Sequence, residues 1–359
     1  MIKALLDGTY GTIRLRHVPL VFSRELHEVG RLRFAKLLQL PFVVVRIWWA
    51  RLRFCARVLY YPPAGPNMVP VLRDIVILLL TRPFFPVTVF HFHAGGLGAF
   101  IQRLPIPMRL LARAAYGRPD LVIRLSAATP NDGTALGARA EAIIPYGIAD
   151  LYPDGPPPRL PLVNRPARLL FVGALRPTKG VLIAVDAVRR LLAAGHDVTL
   201  DLVGDPISVA FAEQLRSAIE AAGLGERVRL RGVLTGAAKD AVYAAADIFC
   251  FPTFYEAEAF SVVVIEAMLH ALPVVATRWR GLTDLVAEGV SGLLVPPCDP
   301  QAVADAVAVL LTDPAQLQRM GAAGRALYLE RYTLAAYRAR LEAALVAARG
   351  VISRAPRWR

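Results

Sequence analysis

Cysteine is scarce: Cys55, Cys250 and Cys298 are widely spaced and odd in number, which excludes a disulfide frame and gives no metal-ligand spacing. Each sits in apolar context, so reduced, buried thiols are expected. Long hydrophobic runs are also missing, although 55% of the residues are hydrophobic. No run approaches the roughly 18 residues of a spanning helix, because "DIVILLLTRPFFPVTVF" is interrupted by Arg82, Pro83 and Pro86. The opening "MIKALLDGTYG" lacks the apolar centre of a signal peptide, so an intracellular, cytoplasmic protein is expected. No D-x-D occurs, and "EAE" at Glu256 to Glu258 is no Mg²⁺ cage, so no metal is expected in the reaction. The glycine cluster "AGGLG" from Ala94 lacks the G-x-G-x-x-G spacing and acidic partner that a dinucleotide oxidoreductase needs.

Acidic residues are scarce in one half only. Residues 1–130 hold 18 Lys/Arg against 5 Asp/Glu, whereas 131–359 hold 24 against 23, within a total of +14. The densest part, "RLRFAKLLQLPFVVVRIWWARLRFCARVLYY", sets Arg31, Arg33, Lys36, Arg46, Arg51, Arg53 and Arg57 among Trp48, Trp49 and Phe54. Two readings stand: an anionic membrane surface meeting basic and indole side chains, or a core helix with a solvated arginine face. No recognition motif accompanies the charge, so nucleic acid is not expected as a partner.

What is present is alternation. Strand-like apolar runs and helix-length amphipathic runs follow one another, the pattern of βαβ units in a mainly parallel sheet, hence an α/β chain. At 359 residues two domains are expected. "VTVFHFHA" and "LVIRLS" read as strands in the first. "YPDGPPPRLPLVNRP", Tyr152 to Pro166, is proline-rich without periodicity and reads as the linker. Beyond it, "RLLFVGA", "VTLDLVG", "VRLRGV", "IFCFPT", "PVVAT" and "GLLVP" read as strands separated by helices. The expected division is a first domain over 1–157, a linker over 158–166, a second domain over 167–335, and 336–359 a C-terminal helix and basic tail returning to the first domain.

Ligands of such sheets bind beyond the carboxyl ends of the strands. In "VGALRPTKGV", Gly173 permits close backbone approach, and Arg176 and Lys179 precede a helix start, the ingredients of a phosphate site. A solvated turn lysine is the other reading. In "FPTFYEAEAFSVVVIEAMLHALPVVAT", Ser261 is placed to cap a helix on which Glu266 has Val262, Val263 and Leu269 as neighbours. An ionised carboxylate only accepts hydrogen bonds, and two sugar hydroxyls would satisfy it. Glu258, on the preceding loop, would accept from a second sugar. Exposed loop and helix glutamates are the alternative.

"EAFSVVVIEAM" resembles the E-x7-E signature of glycosyltransferase family 4, usually E-G-F-G-x-x-x-x-E-A-M. The resemblance runs from Arg168 to Ala347 through "FVGALRPTKG", "AADIFCFPT", "LPVVATRWRGLTDLV" and "VSGLLVPPCDP". It implies the GT-B fold, two Rossmann-like domains facing a cleft, the first (1–157) on the acceptor side and the second (167–335) binding the donor, and a retaining transfer from a nucleotide-diphosphate sugar; with the basic, aromatic first half, a glycan, lipid-linked or polysaccharide-precursor acceptor is expected. That sugar is a co-substrate, and no cofactor is implied. Glu266 then matches the ribose-binding position, Glu258 the donor-sugar position and Lys179 the diphosphate lysine. The amides of Ala259, Phe260 and Ser261 match those gripping sugar and phosphate, and Gly232 and Val233 lie near the base pocket.

In the first half "FHFHAGG" resembles the family's strand-end histidine loop, placing His93 toward the reacting sugar, with His91 on the same face. "IIPYGIADLY" resembles "IPNGVD", with Tyr146 for asparagine. The chain departs from the family in four ways. "MIKALLDGTYGTIRLRHV" starts after the usual first strand and glycine loop, a truncated or remodelled start. Ala174 stands where an arginine often supports the diphosphate, leaving Arg176 as its substitute. Arg280 and Thr283 replace the first glycine and the proline of the "GG-x-P-E/D" loop, and Ala259 replaces the glycine after the first glutamate. An epimerase, a phosphorylase and an inactive donor-binding remnant remain the competing readings.

Overall fold

The structure, a computed structural model, describes residues 5–6, 8, 10–20, 39–158 and 161–353. Arg31, Arg33 and Lys36 of the basic stretch lie outside the described residues. The chain forms two compact units, Met1–Pro145 with Ala335–Arg359, and Tyr146–Leu334.

The first unit is built on a parallel sheet with strand order β1 (Val58–Tyr61), β2 (Val87–His91), β3 (Leu121–Arg124), β4 (Glu141–Ile143). Every residue of β2 and β3 is buried, as expected of parallel strands covered on both faces. Helices α1 (Leu40–Arg53), α2 (Met68–Thr81), α3 (Leu97–Gln102), α4 (Ile106–Tyr116) and α5 (Asp132–Leu136) connect and cover them. The basic aromatic stretch is not one continuous helix. Pro41 sits in the first turn of α1, and Cys55 at φ 49° turns the chain out of it into β1. The core gathers Phe90, Leu78, Ile77 and Tyr116 between sheet and helices. Its one buried acid on α2, Asp74, is satisfied by Tyr61 Oη, the Ala64 amide and Arg73.

The second unit carries a six-stranded parallel sheet of β5 (Ala167–Val172), β6 (Val198–Val203), β7 (Val228–Gly232), β8 (Ile248–Phe251), β9 (Val274–Thr277) and β10 (Gly292–Val295). Its spatial order, β7-β6-β5-β8-β9-β10, is that of the doubly wound dinucleotide-binding sheets. Helices α6 (Val181–Ala193), α7 (Val209–Ala221), α8 (Gly236–Ala245), α9 (Val262–Leu269), the short α10 (Leu282–Leu285), α11 (Pro300–Thr312) and α12 (Pro314–Arg331) complete it. The final helix, α13 (Leu334–Ser353), belongs almost entirely to the first unit.

The unit boundary falls between Pro145 and Tyr146, ahead of the proline-rich stretch. The reason is polar anchoring: Asp150 accepts two hydrogen bonds from Arg325, at 2.8 Å each, and Tyr152 Oη donates to Asp240 at 2.6 Å. The thiols also differ from expectation. All three cysteines are free, but only Cys250, on β8, is buried, its pKa pushed up to about 12 by burial, while Cys55 and Cys298 are exposed.

Candidate active site in the second unit

In a doubly wound sheet the winding reverses between two neighbouring strands, and the loops leaving them open a crevice. Here those strands are β5 and β8, which pair through Leu169–Ile248 and Leu170–Phe249. The loop after β5 carries Arg176 and Lys179, and the loop after β8 carries Glu258. The motifs singled out in the sequence therefore meet at the reversal.

The two loops are clamped together by backbone. The Phe254 amide donates to the Thr178 carbonyl at 2.8 Å. Gly180 caps a 3₁₀ turn, Pro177–Lys179, at φ 77°, and a Cβ there would lie 2.0 Å from the Pro252 carbonyl oxygen. Only glycine fits this contact, and the contact fixes where Lys179 points. Lys179 Nζ donates to Glu258 Oε2. Its ammonium also lies 5.1 Å from the centre of the Tyr255 ring and 5.3 Å from that of Phe251, and Arg176 lies 4.7 Å from the Tyr255 ring.

Glu258 is 7% exposed and its other oxygen accepts from Ser261 Oγ at 2.7 Å. Thr253 Oγ1 lies 3.3 Å from Oε2. This corrects the expected role of Ser261: it occupies the N-cap position of α9, but its hydroxyl is turned to Glu258 and makes no side-chain cap. The carboxylate beside it is the stronger acceptor. Ala259, Phe260 and Ser261 are all buried, with the Phe260 ring between Tyr146 and Tyr332, each 5.9 Å away.

Glu266 has donors that the sequence did not reveal. Lys239 Nζ reaches Oε1 at 2.6 Å and Tyr243 Oη reaches Oε2 at 2.9 Å, both from α8. Burial, with the Glu266 carboxylate beside it, holds the Tyr243 phenol well above its ordinary value, so it stays a donor. A layer of polar groups continues behind it. The Tyr243 ring stacks on His270 at 5.1 Å, and His270 lies between the Glu266 carbonyl at 2.8 Å and Asp240 at 2.7 Å. The only sequence signal was the helix-length run "KDAVYAAA" between the strands "VRLRGV" and "IFCFPT", whose i and i+4 positions hold Lys239 and Tyr243 on one face.

The expected base-pocket residues Gly232 and Val233 are exposed at the end of β7. Gly173 and Gly232 are linked through Gly204, a residue the sequence reading passed over. The Gly173 amide donates to the Val203 carbonyl and the Gly204 amide to the Gly232 carbonyl, each at 2.9 Å. A Cβ on Gly204 would lie 1.8 Å from the Gly173 oxygen. The carboxyl edge of β5, β6 and β7 is thus lined by bare backbone.

Arg280 takes φ 44°, the left-handed conformation that glycine adopts without penalty, at the position where the resemblance has a glycine.

His93 belongs to the first unit. It follows β2, is exposed, and its ring centre lies 4.6 Å from that of the fully buried His91. The glycine cluster behind it is committed to structure: Asp132 accepts from the Gly96 amide at 2.9 Å and the Gly98 amide at 2.7 Å. Those amides are not offered to a dinucleotide pyrophosphate.

Residues 166–313 match the family model described as "Glycosyl transferases group 1", which bears out the resemblance over that stretch. Among curated relatives, the chain is 36% identical to a phosphatidyl-myo-inositol mannosyltransferase of Mycobacterium leprae over 157 residues, 44% of this chain and 40% of the relative. It is 39% identical to a D-inositol 3-phosphate glycosyltransferase of Corynebacterium glutamicum over 154 residues, 42% of this chain and 36% of the relative. The chain thus spans less than half the length of either. Among solved structures, sucrose-phosphate synthase of Thermosynechococcus elongatus superposes with a TM-score of 0.70 at 23% identity, covering 90% of this chain and 81% of that one. HepE of Anabaena in complex with UDP gives 0.67 at 21%, covering 85% and 82%. These likenesses establish the fold as GT-B.

Proposed function

We propose that this chain is a metal-independent, retaining hexosyltransferase that takes a sugar from a nucleotide diphosphate and passes it to a glycan, lipid-linked or polysaccharide-precursor acceptor. The observation that carries the reading is the meeting of Lys179 and Glu258 at the reversal between β5 and β8, with Glu266 on the helix that follows. The match of residues 166–313 and the named activities of the relatives support it.

In the proposed reaction the bond between the anomeric carbon and the β-phosphate oxygen breaks, and a bond to the acceptor hydroxyl oxygen forms on the same face. The hydroxyl proton passes to the departing phosphate oxygen. Negative charge grows on the diphosphate, where Lys179, Arg176 and the opening turn of α9 supply fixed positive charge and dipole. Glu258 orients sugar hydroxyls and does not attack. Glu266 accepts from the ribose hydroxyls, and its two bonds to Lys239 and Tyr243 leave lone pairs for them. His93 is assigned to the reacting sugar on the resemblance alone. The basic first unit supports a working place at the cytoplasmic face of a membrane, where a lipid-linked acceptor would lie.

The test is a transfer assay with a panel of nucleotide sugars, beginning with UDP-sugars, on lipid-linked and glycan acceptors. Glycoside product with the donor's anomeric configuration is expected. Saturable nucleotide binding without any transfer would favour the inactive remnant, and free or phosphorylated sugar would favour an epimerase or phosphorylase.

A further inference from the structure

Among the described residues no helix is long and apolar enough to cross a membrane. Helix α1 nevertheless keeps a full apolar stripe in water. Phe42, Val45, Trp49 and Leu52 are 72%, 56%, 59% and 77% exposed, and their spacing of three, four and three places them on one side of the helix. The opposite side, Val43, Val44 and Ile47, is buried. The stripe cannot turn inward, because α1 is fastened to α2 and the turn after it: Trp48 Nε1 donates to the Leu80 carbonyl and Arg51 Nε to the Phe84 carbonyl, both at 2.9 Å.

Charge selects the occupant. Residues 40–57 contain Arg46, Arg51, Arg53 and Arg57 and no Asp or Glu. Arg46 lies one turn from Phe42, Arg53 one turn from Trp49, and both are exposed beside the stripe. At the end of α1, Phe54 packs edge-on to Trp49 with ring centres 5.6 Å apart, and Arg16 sits 4.5 Å from the Phe54 ring. A second copy of a chain of net charge +14 would bring this basic face against itself.

We propose that this face of α1 docks on an anionic phospholipid surface, the helix lying in the interface with its apolar stripe among the acyl chains and its arginines at the phosphates. This deepens the membrane-face part of the proposed function and stands on the first unit alone, so it fails or holds independently of donor binding in the second.

The experiment is flotation of the full chain with vesicles of phosphatidylcholine, alone or equimolar with phosphatidylglycerol. Binding to the anionic vesicles only, weakened by salt, is expected. Each arginine at such a surface is worth about fivefold in partitioning, so Arg46→Gln with Arg53→Gln lowers it about thirtyfold. Trp49→Ser with Leu52→Ser, the apolar counterpart, lowers it at least about tenfold. Both pairs alter exposed side chains, and both are expected to keep the wild-type melting curve and nucleotide affinity. Equal binding to both vesicle types, or binding untouched by both pairs, overturns the proposal. So does self-association without lipid, seen by light scattering and abolished by Trp49→Ser with Leu52→Ser, which would make a second copy the occupant.

Discussion

Lys179 Nζ donates to Glu258 Oε2, so one ion pair ties the loop leaving β5 to the loop leaving β8. The pair is shielded, with side chains 16% and 7% exposed. Removing one partner strands the other charge, which costs more than the pair itself contributes. Lys179→Met is therefore expected to lower unfolding stability by about 2–4 kcal/mol, and Glu258→Gln in that background to restore at least half. Urea unfolding of the four chains of the cycle measures this. Additive losses would show that the two groups do not depend on each other.

Gly180 and Gly195 separate conformation from contact. Both have positive φ, 77° and 86°, but a Cβ at Gly180 would meet the Pro252 carbonyl at 2.0 Å, whereas one at Gly195 would meet nothing within 4 Å. Gly195→Ala is expected to cost about 1 kcal/mol of backbone strain, and Gly180→Ala at least about 2 kcal/mol more, with loss of nucleotide affinity as Lys179 is displaced. Similar costs in thermal unfolding would remove the clamp from the account.

His91 gives the first unit an acid sensitivity. Burial, and secondarily His93, hold its imidazole well below its ordinary value of about 6.5. Above that pH the ring is neutral in both folded and unfolded chains and contributes no slope. Below it the unfolded chain takes up the proton first, so stability falls on acidification by about 1.4 kcal/mol per pH unit down to the folded-state value. Burial also pushes His93 down to about 4, so both rings contribute in this window, and denaturant melts between pH 7 and pH 5 (about the window above the carboxylates) should show a slope that His91→Gln roughly halves. An unchanged slope in the variant would place the proton elsewhere.

The proposed metal independence is tested by chelation. Transfer should be unchanged after exhaustive treatment with a chelator, because in the proposed reaction Lys179 and Arg176 supply the counter-charge to the diphosphate. Activity lost to chelation and regained with Mg²⁺ would reject that part of the proposal.

Much of the second unit was legible because its strands are short apolar runs ended by glycine, proline or polar loops, and the six read from the sequence are the six in the sheet. The first unit was harder. Strand β1 follows directly on a basic aromatic helix without a turn signature, the break being a left-handed Cys55, and β4, "EAI", is three residues at an edge. Within the site, Lys179 and Glu258 stood out through the family resemblance and not through their loops alone, since a turn lysine or a loop glutamate is as often simply solvated. The partners of Glu266 were not, because Lys239 and Tyr243 come from a helix 23 to 27 residues earlier, and only the pairing order of β8 against β5 brings α8 beside α9. Ser261 misled for a related reason: cap preference is local, and a buried carboxylate three residues away outcompeted it.

The most direct test of the central claim is calorimetric titration of the full chain with nucleoside diphosphates and their sugars, paired with turnover. The account predicts saturable binding that Glu266→Gln weakens by about ten- to a hundredfold, turnover lowered chiefly by Glu258→Gln, and both lowered by Lys179→Ala. Unaltered affinity in all three variants would contradict it.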